Sequence, residues 1–240
     1  MTSPAPESTL RQALFVGREK ESARIRRELE DGHNLVLTGP FGIGRTTLLR
    51  HLARELKPTW RFVFLDGSRT AGHLCGRLLE VWTPDRPEPG RHRAVPWTVE
   101  RRRLPGLLDH EPRRVAMVLD DLGKVTAPKL DFLRWLQGLG RVRIIAVTER
   151  FLDEAVELRL RSVLYPAPRL ALGPLPAGPA KAFFEGWAQA NGLDWDAGAV
   201  HGLAMATRGY PTGMWEAARS AVLMPPPSAP PPGSRRIPVP

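Results

Sequence analysis

The sequence predicts an α/β fold: a parallel sheet flanked by helices, followed by a small all-helical unit. Three observations predict it. Short apolar runs near 35–37, 60–65, 115–119 and 142–147 alternate with amphipathic helical stretches, the order that parallel sheets require. Val115, Ala116, Met117, Val118 and Leu119 form an unbroken apolar run, as a strand covered on both faces must. From residue 174 onward, Phe183, Phe184, Trp187, Leu203, Met205, Met214 and Trp215 give three short helical pieces a shared apolar face.

The elements follow in order. Residues 18–30 make a charged helix carrying Ile25 and Leu29; residues 34–38 are a strand, and residues 46–56 a helix with Leu48, Leu52 and Leu56 four apart, stopped by Pro58. A strand at 60–65 ends in Asp66, read as a turn residue before Gly67 and Ser68. A helix at 69–82 holds Leu74, Leu78 and Val81. A proline-rich loop at 83–96 and a proline-interrupted helical stretch at 97–109 lead to the strand ending in Asp120 and Asp121. A helix at 128–139 turns Leu130, Leu133 and Leu136 inward, a strand follows at 142–147, and a last core helix spans 151–162. Residues 1–13 are expected to be a flexible polar segment, 14–173 the core, 174–223 the helical unit, and 224–240 a disordered proline-rich tail.

Composition narrows the function. The 240 residues are 42% hydrophobic, enough for a real core. A single cysteine, Cys75, excludes an internal disulfide and sits among apolar helix positions, so it is read as buried. No apolar run approaches spanning length and residues 1–6 lack the features of an export signal, so a cytoplasmic setting without membrane attachment is expected. Lys and Arg total 35 against 25 acids. The excess is scattered through Arg24, Arg26 and Arg27, Arg91 and Arg93, Arg101 to Arg103, and Arg235 and Arg236, a distribution that favours compositional bias over a dedicated nucleic-acid face.

Residues 39–46 read Gly-Pro-Phe-Gly-Ile-Gly-Arg-Thr, a phosphate-binding loop between strand and helix. Gly39, Gly42 and Gly44 let successive N–H groups turn inward around an anion, and the helix that follows adds unpaired amides and a positive dipole end. The predicted phosphate-binding set is Gly39, Pro40, Phe41, Gly42, Ile43, Gly44, Arg45, Thr46 and Thr47, with the Thr46 hydroxyl placed for Mg2+. Arg45 stands where the Walker A pattern has lysine. Its charge is kept, but a planar fork replaces a point charge on a thin stem, so binding should survive better than hydrolysis.

An acidic pair at the carboxyl end of a buried strand is costly without a cation or hydrogen bonds. Asp120 is therefore expected to hold the metal and Asp121 to orient or deprotonate the attacking water; the competing role for Asp121 is a cap on the following turn. Thr148 and Arg150 follow another apolar strand and become candidate sensors of the terminal phosphate, with a helix cap as the alternative for Thr148. Arg159 and Arg161 are candidates for an arginine finger reaching a neighbouring subunit, against the role of a solvated helix face.

Phe15-Val16-Gly17-Arg18-Glu19, the phosphate loop, Asp120-Asp121 as Walker B, Thr148-Glu149-Arg150, Leu172-Gly173-Pro174-Leu175 and Gly209-Tyr210-Pro211 together resemble the AAA+ superfamily, and in wording its STAND branch, which includes the NB-ARC type. The resemblance covers about residues 14–222. It implies a P-loop NTPase with a five-stranded parallel sheet ordered 5-1-4-3-2 and a helical lid. It also implies ATP or ADP with Mg2+ as ligands, Val16 and Gly17 near the adenine, and Pro211 packed over the base. Three departures stand out: Arg45, the Pro211-Thr212-Gly213-Met214 start of a lid helix without the arginine many AAA+ lids place there, and a proline-rich tail at 225–240 in place of further domains. The expected function is an ATP-binding switch with weak, Mg-dependent ATPase activity coupled to lid movement, acting through an unknown protein partner or self-assembly on ATP binding. Two alternatives stand beside it: a non-catalytic nucleotide-gated adaptor, and a DNA-associated AAA+ regulator using residues 91–103.

Overall fold

A computed structural model of the protein describes residues 14–83, 96–149 and 153–223. They fall into two compact units, residues 18–173 and residues 14–17 with 174–223. The first unit is built on strands β1 (Leu35–Thr38), β2 (Trp60–Asp66), β3 (Arg114–Asp120), β4 (Val142–Thr148) and β5 (Arg169–Ala171). All pair in parallel in the order β2-β3-β4-β1-β5, the expected 5-1-4-3-2 read from the other edge. All four residues of β1 are buried, and the strand pairs with β4 on one side and β5 on the other, setting Leu37 against both Val147 and Leu170. Asn34 completes the ladder just before β1. Its side-chain amide donates to Leu164 O at 2.7 Å and its carbonyl accepts from Ile144 N at 2.8 Å, which satisfies a polar group only 2% exposed.

Around the sheet lie helices α1 (Glu19–Glu30), α2 (Arg45–Glu55), α3 (Ala71–Glu80), α4 (Trp97–Glu100), α5 (Leu104–Asp109), α6 (Ala127–Gly138) and α7 (Glu154–Val163), with a 3-10 turn at Arg101–Arg103. Helix α2 buries Leu48, Leu49 and Leu52, each worth roughly 1.5–3 kcal/mol as area removed from water. Cys75 is fully buried on α3, as its apolar surroundings predicted.

One expectation is extended here and one alternative is excluded. Leu133 and Leu136 of α6 are buried and Leu130 is half-buried against the core, as expected, but Phe132 and the charged Lys129 are fully buried beside them. Thr148 is the last residue of β4 and pairs with Thr38, while α7 opens at Glu154 with Asp153 accepting from Ala155 N. The helix-cap role for Thr148 is therefore excluded.

The second unit contains α8 (Ala177–Asn191), α9 (Ala197–Thr207) and α10 (Pro211–Leu223). Phe183, Phe184, Trp187, Val200, Ala204, Met214 and Ala218 form its core, and Leu14 packs into it from the segment ahead of α1. Trp215 meets Phe183 and Trp187 edge-on at 5.6 and 5.0 Å, arrangements favoured by the ring quadrupoles. Met205 departs from the expected apolar face: it is 59% exposed, because α9 buries Val200 and Ala204 four apart and carries the next position outward. Glycine is required at position 209, where φ is +68° and a Cβ would overlap the Leu175 carbonyl. Gly17, at φ +69°, seats against Pro179 in the same way.

Candidate functional site

The loop after β1 turns through Gly42 at φ +76° and Gly44 at φ +90°, angles that a side chain would strain. Gly44 caps α2, whose first internal bond runs from Leu48 N to Gly44 O at 2.9 Å, so the amides of Arg45, Thr46 and Thr47 are the orphan donors of that helix. Ile43 is fully buried beneath the loop, and Phe41 is 78% exposed at its tip. Gly39, Pro40, Phe41, Gly42, Ile43, Gly44, Arg45, Thr46 and Thr47 thus form one continuous strand-turn-helix element. Fixed turn angles and a positive helix end make it a ready anion cradle.

Three chains of contact converge on this loop. The Thr46 hydroxyl donates to Asp120 Oδ2 at 2.8 Å, across 74 residues of sequence, bringing the hydroxyl and carboxylate expected to hold a metal into direct contact. Asp120 Oδ1 accepts from the Asp121 amide at 3.1 Å, and Asp121 stands exposed at φ +55°, a strained value for a non-glycine residue. Arg45 reaches to the end of β4, donating to the Thr148 carbonyl and lying 3.6 Å from Glu149 Oε1, with its side chain 11% exposed. Its fork is therefore engaged by the protein itself. Thr148 is fully buried, and its hydroxyl has no hydrogen-bond partner among the described residues, an orphan that a buried polar atom tolerates only at a cost.

The remaining predicted residues lie as follows. Arg150 falls outside the described residues. Arg159 and Arg161 are exposed on α7, with Arg161 Nε donating to Ala167 O at 3.4 Å. Val16, Gly17 and Pro211 belong to the helical unit, Val16 packed against its core and Pro211 at the first position of α10, where proline's missing N–H costs nothing. Asp66 is the turn residue expected, accepting from Ser68 N and Oγ and from Arg69 Nε; the Ser68 hydrogen bonds are the main cause holding its carboxyl below the usual range.

Sequence reasoning missed Lys129. It is 1% exposed, and its ammonium donates to Gly67 O at 2.6 Å and Lys124 O at 2.7 Å; the Gly67 amide in turn donates to the Asp120 carbonyl at 2.5 Å. Burial lowers its pKa, and the nearby charge of Asp66 opposes that shift. Its spacing from Phe132, Leu133 and Leu136 was the available signal. A lysine in line with a helix's apolar stripe is itself an anomaly.

Comparison with known proteins agrees with this geometry. The sequence pattern of the AAA ATPase domain matches residues 14–147, more than half of the chain. The chain belongs to the AAA ATPase domain family. Its fold is similar to that of the Orc1 protein of Aeropyrum pernix, solved in complex with DNA, at TM-score 0.65 and 18% identity over 89% of this chain. It is also similar to Cdc6p from Pyrobaculum aerophilum, at TM-score 0.63 and 18% identity over 86%, and to RuvB from Thermotoga maritima, at 0.56 and 16% over 88%. This AAA chain spans 64%, 62% and 64% of those proteins' lengths. At such identities the likeness concerns the fold alone. No helix among the described residues is long and apolar enough to cross a membrane.

Proposed function

We propose that this AAA-family chain is an ATP-binding switch with STAND-like motifs, hydrolysing ATP slowly with Mg2+ and passing the state of its nucleotide to a helical lid. The observation that carries the reading is the convergence of the glycine cradle, the Thr46–Asp120 pair and the Arg45 fork on one loop. The amides of residues 42–47 would bind the phosphates. Thr46 and Asp120, already within hydrogen-bond reach, fit a hard cation that takes oxygen ligands. When bound, the ion would supply neutralising charge on the phosphate oxygens. The exposed Asp121 carboxylate would orient the attacking water, and Thr148 with Arg150 would meet the terminal phosphate. Residues 14–173 would be the nucleotide-binding core, 174–223 the lid carrying Pro211 over the base, and 224–240 a tail outside both.

Arg45 sets the rate. To meet a terminal phosphate its fork must leave the Thr148 carbonyl and Glu149, so part of the charge that stabilises phosphoryl transfer is held in competition with the protein. Arg45→Lys is expected to raise turnover by about tenfold or more, equivalent to about 1.4 kcal/mol of barrier, with little change in nucleotide affinity. Calorimetry with Mg-ATP and Mg-ADP, followed by phosphate release with and without magnesium, tests both halves. No binding of either nucleotide would sink the reading.

The same occupied fork favours a second reading, a nucleotide-gated adaptor without turnover. It is distinguished by tight binding with no phosphate release in the natural chain. A DNA-associated role has less support. Arg101 is stacked between the Trp97 and Trp135 rings, 5.4 and 4.9 Å from their centres, which leaves Arg102 and Arg103 exposed on that turn, while Arg91 and Arg93 lie outside the described residues. ATP-strengthened binding to DNA that falls steeply with salt would revive it.

A further inference from the structure

The chain passes between its two units at two peptide bonds, Gly17–Arg18 and Gly173–Pro174. Arg18 is the first residue of the sheet unit after one crossing, and its guanidinium reaches the other. It is 5% exposed, Nη1 donates to Glu21 Oε1 at 2.7 Å, and Nη2 is shared between Gly173 O at 2.7 Å and Ile43 O at 3.3 Å. A buried guanidinium is tolerated only when its donors are matched, so these acceptors define its place.

The two carbonyls belong to peptides of different consequence. Ile43 and Gly44 share a planar trans peptide, in which the carbonyl and the N–H point in opposite directions. Holding Ile43 O toward the buried Arg18 therefore aims Gly44 N–H away from it. At the other acceptor, Gly173 O belongs to the peptide that leaves the sheet unit. Proline at 174 fixes its own φ, so the soft torsions of this crossing lie chiefly in Gly173, the residue whose carbonyl Arg18 holds.

We infer that Arg18 is a positioning residue through which an anion in the phosphate loop acts on the Gly173–Pro174 crossing. An anion accepting from Gly44 N–H polarises that peptide and makes Ile43 O a stronger acceptor. Nη2 donates one N–H to each carbonyl, so as the 3.3 Å bond to Ile43 O shortens the guanidinium is drawn toward the loop and its 2.7 Å bond to Gly173 O lengthens. The result is a lever built from one side chain and two peptides, and the Val16-Gly17-Arg18 motif is where it starts. The inference rests on the nucleotide-switch reading above.

The test uses the full chain with Mg-ADP and with a slowly hydrolysed Mg-ATP analogue. Calorimetry measures binding, and amide hydrogen exchange follows residues 172–176. In the natural chain, nucleotide changes exchange in that segment. Arg18→Met, and Arg18→Lys, which keeps the charge opposite Glu21 but loses the fork, still bind nucleotide and lose that change. If Arg18→Met fails to fold, Arg18→Lys decides alone. Binding with no exchange response in the natural chain, or an undiminished response in the variants, overturns the lever while leaving the nucleotide site standing. Absence of binding in the natural chain overturns both.

Discussion

Glu111 is 4% exposed yet stays ionised. Burial pushes its carboxyl up, but donation from Arg113 at 2.8 Å, Arg61 at 2.6 Å and the Trp82 indole at 3.2 Å outweighs that and brings it from 4.5 down to about 2. A carboxylate whose pKa falls on folding adds stability above its unfolded pKa and loses it as the pH drops through the folded one. The stability gap between the natural chain and Glu111→Gln should therefore narrow by about 2–3 kcal/mol between pH 5 and pH 2. Urea unfolding at several pH values measures it, and a gap independent of pH would refute the assignment. Arg45 poses the complementary case of a cation whose acceptors are a carbonyl and a partly exposed carboxylate, which is why its substitution is expected to register in turnover before affinity.

Helix α6 carries its chemistry on its buried side. Lys129 holds the Gly67 turn, and Gly67 holds the carbonyl of Asp120, so the helix braces the carboxylate that faces Thr46. Lys129→Met leaves two carbonyls without their donor while removing a desolvated charge, a net loss of about 1–3 kcal/mol. It should also weaken magnesium-dependent nucleotide binding more than metal-free binding; equal losses in the two would place Lys129 in stability alone. Helix α9 offers a cleaner contrast. Met205→Glu should change stability by no more than about 0.5 kcal/mol, whereas Ala204→Glu forces a charge into the core beside Phe183 and Phe184 and should cost more than about 3 kcal/mol. Thermal melts of the two variants read the difference directly.

At the scale of the molecule, ligand binding to the native chain alone must appear as stability. Mg-nucleotide at a hundred times its dissociation constant should add about 2.7 kcal/mol to unfolding. Asp120→Asn should lose the magnesium-dependent part of that gain and keep the part due to phosphate on the loop amides. A melting temperature that ignores saturating nucleotide would contradict the proposed function as directly as calorimetry.

Much of this was readable from local sequence. The glycine loop is contiguous, Gly42 and Gly44 sit where φ is positive, and the apolar runs became β1 to β4, because short-range periodicity and turn chemistry act within a few residues. The carboxyl-end placement of Asp120 followed from the same run. The strand order came from the family resemblance rather than from periodicity, which carries no neighbour information. Tertiary structure alone decided who meets whom. Arg45 finds a carbonyl 103 residues away, Arg18 one 155 away, and Lys129 one 62 away, and these distances close only when the sheet brings the strand ends together. Residue pattern determined a parallel sheet with a glycine loop between its first strand and the following helix. The reach of Arg18 and Arg45 decided how that loop is held, and the reach of Lys129 how the Gly67 turn beside Asp120 is held, because each contact closes only in the folded sheet.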